Sequence, residues 1–415
     1  MAFKKTAAAA LTAAAIAIAA GAASAAETVK IAFIDPLSGT FANVGETGFR
    51  HFQLAVETVN ARGGPVKFEL VQFDSKAKPQ DALLAFKQAT DQGIRYITQG
   101  NSSAVAGALS EAVAKHNARN PDQTVLYLNY GAVDPALTND KCNFWHFRFD
   151  ADAEMKMLGI TGAIAARKDI KSIYLINQDY AFGQAVSRAA KDQLAKKRPD
   201  IKIVGDDLHP LGQVKDFAPY ISKIKSSGAD AVITGNWGTD ITLLTKAAHD
   251  AGLKIDFFTY YAGGLGAAPA IGEAGVGRLK QVSTWNSNIP NEKVAKNYAA
   301  YRERFKDSND DLYWSTVREE IEMLAKAVEQ AKSADPAKVA YALEGMKWEN
   351  DVGEVVMRAD NHQLIQPLFI STYSKMDGKD VKHDVERTGF GFKNETRIEG
   401  KDTVMPTTCK MERPH

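Results

Sequence analysis

Two hydrophobic periods take turns along this chain. Val29–Asp35 reads as a strand. Val44–Ala61 then recurs at helical spacing, with Phe52, Val56 and Val59 on its apolar face. Val66–Phe73 alternates again through Val66, Phe68 and Leu70. Asp81–Asp91 predicts a helix, Ile94–Thr98 a strand, Ser103–Asn117 a helix and Thr124–Asn129 a strand. Strict alternation of this kind predicts a parallel sheet covered by helices on both faces.

The pattern then restarts. Ala153–Ala166 predicts a helix, Ser172–Asn177 a strand, Phe182–Lys196 a helix and Ile201–Leu208 a strand. Phe217, Tyr220, Ile221 and Ile224 mark another helix. Ala231–Thr234, Ile241–Ala251 and Phe257–Tyr260 follow as strand, helix and strand. This is a second α/β unit, joined to the first through the aromatic-rich Asn143–Asp150. Beyond it, Glu292–Phe305 and Leu312–Gln330 predict helices, and Asp335-Pro336 opens another with Pro at its first position. Val352–Met357 and Gln366–Tyr373 predict strands.

Length supports two lobes, since 415 residues exceed one ordinary core. A hydrophobic share of 45% and a charged share of 24% are those of a globular protein. The formal net charge of +1 supplies no field that would recruit nucleic acid or an anionic membrane. The N-terminus changes the picture more. Lys4 and Lys5 precede an Ala-, Leu- and Ile-rich run, and Ala23-Ser24-Ala25 forms a cleavage site, so residues 1–26 are expected to be a cleaved export signal. The two cysteines, Cys142 and Cys409, are an even count in an exported chain and suggest one disulfide; two separate buried thiols are the alternative.

Motifs of catalysis are missing. The chain has no G-x-x-x-x-G-K-[ST], no G-x-S-x-G and no H-E-x-x-H. Gly264-Leu265-Gly266 starts like a dinucleotide fingerprint, but Pro269 stands where its third small residue belongs. Asp206-Asp207 reads as the end of a solvated strand, and His51, His116 and His249 as helix-surface residues. No enzyme activity, cofactor or metal is expected.

Five stretches, in order behind the export signal, carry a resemblance. They are "IAFIDPLSGTFANVGETGFRHFQLAVETVNARGG" (31–64), "GNSSAVAGALSEAV" (100–113), "LNYGAVDPALT" (128–138), "NQDYAFGQAV" (177–186) and "AAHDAGLKIDFF" (247–258). Together they resemble the periplasmic solute-binding proteins of the branched-chain amino-acid type, the recognition subunits of ABC importers. The resemblance implies a type I periplasmic binding fold, two doubly wound α/β lobes joined by a three-crossing hinge. Carried over, lobe one spans 27–148 plus 285–350, lobe two 149–284 plus 351–385, and 386–415 is a C-terminal extension. A Cys142–Cys409 bridge would bring that extension back to lobe one. The implied partner is an ABC permease, and the implied state a monomer. A soluble sensor for a membrane receptor is the alternative of another class.

The candidate site follows the loops after parallel strands, where ligands bind in such sheets. Asn101, Ser102 and Ser103 stand at the start of a helix. Either serine could serve as a cap. Free N–H groups and the helix dipole also favour an anion there, and the resemblance assigns this loop to a ligand carboxylate. Gly131, Ala132 and Val133 resemble the second ligand loop, with Val133 in place of the usual Thr. Tyr261 falls where the family places the Glu that pairs with the ligand's ammonium. A buried ammonium without an ionic partner is costly, so the expected ligand is a carboxylate lacking an α-ammonium. Phe41, Tyr180, Phe182, Trp237, Tyr260 and Tyr261 are expected to line the pocket, which would suit an aromatic acid. An ordinary branched-chain amino acid is the alternative ligand. Asp240 is expected to cap the 241–251 helix and Arg148 to brace the crossover.

Overall fold

The structure, a computed structural model, describes residues 26–414; the expected export signal therefore lies outside the described residues, save its last position. The first lobe is a five-stranded parallel sheet of β1 (Glu27–Asp35), β2 (Val66–Asp74), β3 (Tyr96–Thr98), β4 (Leu126–Asn129) and β5 (His146–Arg148), in the order β2-β1-β3-β4-β5. Its early helices are α1 (Ala42–Ala61), α2 (Pro79–Asp91) and α3 (Ser103–Arg119).

The second lobe opens with α4 (Ala153–Ala165), whose N-terminus is capped by Asp152 accepting from the N–H groups of Glu154 and Met155. Its strands are β6 (Ser172–Gln178), β7 (Lys202–His209), β8 (Ala231–Thr234), β9 (Asp256–Thr259) and β10 (Leu279–Ser283). Between them run α5 (Ala181–Lys197), α6 (Ala218–Ser227), α7 (Thr239–Asp250) and α8 (Ala267–Ile271). The chain then returns to lobe one through α9 (Glu292–Arg304), α10 (Ser315–Ala331) and α11 (Pro336–Leu343). Val317, Ile321, Leu324 and Val328 of α10 repeat every three or four residues and share a core with Phe52 and Val56 of α1.

A small antiparallel sheet follows, of β11 (Lys347–Glu349), β12 (Glu354–Met357) and β13 (Leu364–Ile365). Then β14 (Leu368–Lys375) and β15 (Phe390–Ile398) add antiparallel edges to lobe two, giving β15-β14-β10-β9-β8-β6-β7.

Several expectations change here. The aromatic join contains β5, which closes the lobe-one sheet beside β4. Within residues 386–415, expected as a C-terminal extension, β15 forms the edge of the lobe-two sheet beside β14. Past β15 the chain crosses once more. Thr407 Oγ1 donates to the Thr138 carbonyl at 3.1 Å, Cys409 is bonded to Cys142, and Arg413 Nε donates to Glu344 at 3.0 Å. Lobe one is thus tied to the tail of lobe two by a covalent strap besides the three crossings. Among the described residues, no helix is long and apolar enough to cross a membrane.

Arg148 does brace a crossover. It is fully buried, and its guanidinium donates to Gln363 Oε1 at 2.5 Å, the Asp134 carbonyl at 2.6 Å and Asp152 at 3.1 Å. Asp240 does not cap its helix, which begins at Thr239 behind Gly238. Its carboxylate instead accepts from Gly212 N at 2.9 Å and Gln178 Nε2 at 2.8 Å, tying three lobe-two loops together. His51 is not on a surface either. It is 3% exposed, and its Nε2 accepts from the Tyr313 N–H at 2.8 Å. Burial lowers its pKa to about 4, which keeps the ring neutral and able to accept.

Candidate functional site

β3 ends at Thr98, and the chain must turn from sheet to helix within a few residues. It does so by close packing. A Cβ at Gly100 would lie 2.7 Å from the Tyr130 ring, so only glycine fits. Ser102 then takes a φ of +82°, a left-handed conformation that costs an L-residue about 1–3 kcal/mol. The turn is held from below. The buried Asp35 carboxylate, at the end of β1, accepts from Asn101 N at 3.0 Å, Gly100 N at 3.3 Å and the Tyr130 hydroxyl at 2.8 Å. Asn101 Nδ2 donates to the same Tyr130 oxygen at 2.8 Å. Desolvation outweighs these donors and lifts the Asp35 pKa to about 7.

This geometry separates the two serines. Ser102 occupies the N-cap position of α3, yet its side chain makes no capping bond. Its Oγ is buried and has no partner among the described residues. Ser103 Oγ accepts from Asp134 N at 3.2 Å and so joins the second loop to the first. The first α-helical bond runs from Ala106 N to the Ser102 carbonyl, at 3.0 Å. The N–H groups of Ser103, Ala104 and Val105 are the orphan donors of this terminus.

A cavity lies over that helix end, between the lobes. Lobe one lines it with Val44, Gly100, Asn101, Ser102 and Ser103, and with Gly131, Ala132 and Val133. Lobe two supplies Tyr180 and Phe182 from the β6–α5 turn, Trp237 and Gly238 after β8, and Tyr261 and Leu265 after β9. Tyr313 and Trp314, just before α10, complete the wall. None of these described lining residues is Asp, Glu, Lys, Arg or His.

The rings hold one another. Trp237 Nε1 donates to the Tyr180 hydroxyl at 2.8 Å, and Phe182 meets Tyr261 edge-on at 5.9 Å between centroids. Behind Tyr261, Lys156 Nζ lies 4.8 Å from its ring centre and donates to Asp150 at 2.6 Å.

Two expected residues stand outside the cavity wall. Phe41 stacks on Trp237 with centroids 4.4 Å apart, so it supports the indole and seals the lobes against each other. Thr239 Oγ1 adds a bond to the Thr40 carbonyl at 2.9 Å beside it. Tyr260 lies behind that wall, its ring 5.6 Å from Phe182 and 6.2 Å from Tyr261 between centroids. Its hydroxyl donates to the Ala153 carbonyl at 2.8 Å.

Tyr313 and Trp314 are the site residues that the sequence did not reveal. The helical spacing of Leu312–Gln330 placed them inside a helix, whereas α10 begins at Ser315. The only sequence signal is the adjacency of two aromatics to the polar run Ser308–Asp311 and to Ser315.

Residues 28–379 match the periplasmic binding protein family. Over 412 residues the chain is 31% identical to "Leu/Ile/Val-binding protein homolog 4" of Brucella abortus (strain 2308), covering 97% of each. The solved closed form of a leucine-, isoleucine-, valine-, threonine-, and alanine-binding protein from Brucella ovis superposes with a TM-score of 0.82. It is 29% identical, and the match covers 94% of this chain and 100% of that one. A solute-binding protein from R. palustris, solved with 4-hydroxybenzoate, shares the fold at a TM-score of 0.77 and 19% identity, covering 91% and 98%.

Proposed function

The chain belongs to the periplasmic binding proteins of the Leu/Ile/Val-binding type, and from that premise we propose that it captures a small carboxylate lacking an α-ammonium and delivers it to an ABC permease. It is a binding protein rather than an enzyme. One observation carries the ligand class. The unpartnered hydroxyl of Ser102 and the open end of α3 face a chamber whose described lining has no ionic side chain. Hydrogen bonds from a helix N-terminus to a carboxylate are charge-assisted and strong. An α-ammonium in the same chamber would meet Val133 and the Tyr261 ring in place of a hydroxyl and a carboxylate.

Six rings around the chamber favour an aromatic skeleton, which can stack or meet them edge-on. The ligand docks first on the loops at 101–103 and 131–133. Lobe two then closes by hinge motion, bringing Phe182, Trp237 and Tyr261 over it, and the closed form docks on the permease. Export through residues 1–26 places it in the periplasm.

The names of the relatives favour a second reading, a branched-chain amino-acid binder. In that case the ammonium would find no ionic partner among the described lining residues. Thermal shift of ligand-stripped protein separates the two. A ligand at ~1,000 times its dissociation constant adds about 4 kcal/mol of stability. A large shift with benzoate-like acids and none with leucine is expected. The reverse result returns the protein to the amino-acid binders.

A further inference from the structure

Leu265 and Tyr313 have two sides. One side faces the chamber described above. The other faces a second cavity, between lobe two and the segment that leads into α10. Its character is different, because Asp310, Asp311 and Glu386 line it. Arg50 binds Asp310 at 2.9 Å, and Arg302 pairs with Asp311 and with Asp384, the latter at 3.0 Å. Of the three carboxylates that line the cavity, those of Asp310 and Asp311 are thus paired with guanidinium groups.

Glu386 has no ion pair among the described residues. Its two oxygens share the single N–H of Gly266, at 2.9 and 3.0 Å. Gln281 adds a separate sign of a missing partner. The residue is 4% exposed, it lines the same cavity, and its Oε1 is buried without a hydrogen-bond donor. A buried acceptor left unpaired costs about 1–3 kcal/mol, so such groups normally have a partner. Burial without a counter-charge also raises the Glu386 pKa to about 7.

We propose that this second cavity is the far end of the ligand site, and that the ligand is a carboxylic acid carrying an amine at the opposite end of its skeleton. The inference rests on the reading that a carboxylate occupies the 101–103 loop. It extends that reading by giving the ammonium a place away from the α-carbon. The carboxylate sits on the α3 terminus, the skeleton passes the Tyr313 ring as that ring turns aside, and the ammonium donates to Glu386 and Gln281. The unpaired Glu386 carboxylate attracts a cation and the bare Gln281 carbonyl oxygen accepts from it, so both observations select the same group. A short α-amino acid cannot reach, because its two charges share one carbon.

Isothermal titration of the ligand-stripped mature protein with isosteric pairs tests this. The pairs are 4-(aminomethyl)benzoate against 4-ethylbenzoate, and 6-aminohexanoate against heptanoate. In at least one pair the amine is expected to bind tenfold or more tightly. Glu386→Gln, or Gln281→Leu if the first variant does not fold, should bring that ratio towards one. Ser102→Ala should weaken both members of the pair alike. If the alkyl acids bind and the amines are no tighter, the second cavity is not a ligand subsite, and the carboxylate reading stands. If all four acids fail, whether or not leucine binds, both readings fall.

Discussion

Lobe one meets the interlobe chamber with two backbone-rich loops besides the Tyr313 and Trp314 rings, and lobe two meets it chiefly with rings. Both walls come from the same device, a loop after a parallel strand. On the lobe-one side Gly100, Gly131 and Ala132 keep side chains out of the way, and Ser102 bends backwards at a φ of +82°. On the lobe-two side the corresponding turns present Tyr180, Phe182, Trp237 and Tyr261. The supports differ accordingly. Beneath lobe one lies a buried polar network of Asp35, Tyr130 and Asn101. Beneath lobe two the rings pack on rings, as Phe182 does on Tyr260 at 5.6 Å. Fixed dipoles need a rigid hydrogen-bonded base, because an N–H aimed wrongly is lost. Apolar shape needs only packing, and it can be completed after the ligand arrives.

The comparison can be broken from either side. The largest effect is expected at Trp237. Removing a buried indole that stacks on Phe41 should cost about 3–5 kcal/mol. Chemical denaturation of Trp237→Ala measures it, and a loss under ~1 kcal/mol would mean the rings are not the structural base of this wall.

On the other side, Tyr130→Phe removes one hydroxyl that serves both Asp35 and Asn101. A destabilisation of about 1–3 kcal/mol is expected, from two buried groups left short of a partner. An unchanged midpoint would deny the network its supporting role.

The two serines sharpen the contrast further. Ser102→Ala should leave stability within ~0.5 kcal/mol, because its hydroxyl has no partner to lose. It should weaken a carboxylate ligand by roughly ten- to a hundredfold, the worth of one charge-assisted bond. Ser103→Ala should show in the melt as well, since Ser103 Oγ ties the Asp134 N–H to α3. Equal behaviour of the two variants would refute the division of labour between them.

The smallest effect is a slope with pH. Burial holds Asp35 at about 7 and Glu319 at about 8, both above their unfolded values. Between pH 6.5 and 8.5 the folded protein therefore binds more protons at these sites than the unfolded chain does, so stability falls as pH rises. Buried His51 and His146, lowered to about 4 and 3, oppose this only below their unfolded value of 6.5. The decline is at most about 1.4 kcal/mol per pH unit for each net proton. Glu319→Gln, which can still accept from Asn350, should flatten it. A midpoint that rises over this window would show that these carboxyls are ionised throughout.

The sequence by itself determined the alternation of strands and helices, the division into two α/β units and most of the strand-end loops that line the interlobe cavity. Those features rest on local periodicity and on residue types that suit few conformations. Set beside the family it resembles, it also led us to expect Val133 and Tyr261 where that family's pattern has a Thr and a Glu. Only the tertiary structure decided which serine is free, because capping depends on a backbone angle that Ser102 adopts under the grip of Asp35. It left Tyr260 behind the cavity wall and drew Tyr313 and Trp314 into that wall, since α10 begins only at Ser315. It carried β15 into the lobe-two sheet and the last residues back across to Cys142. Contacts between distant segments leave no period in the sequence, so only folding brings them into view.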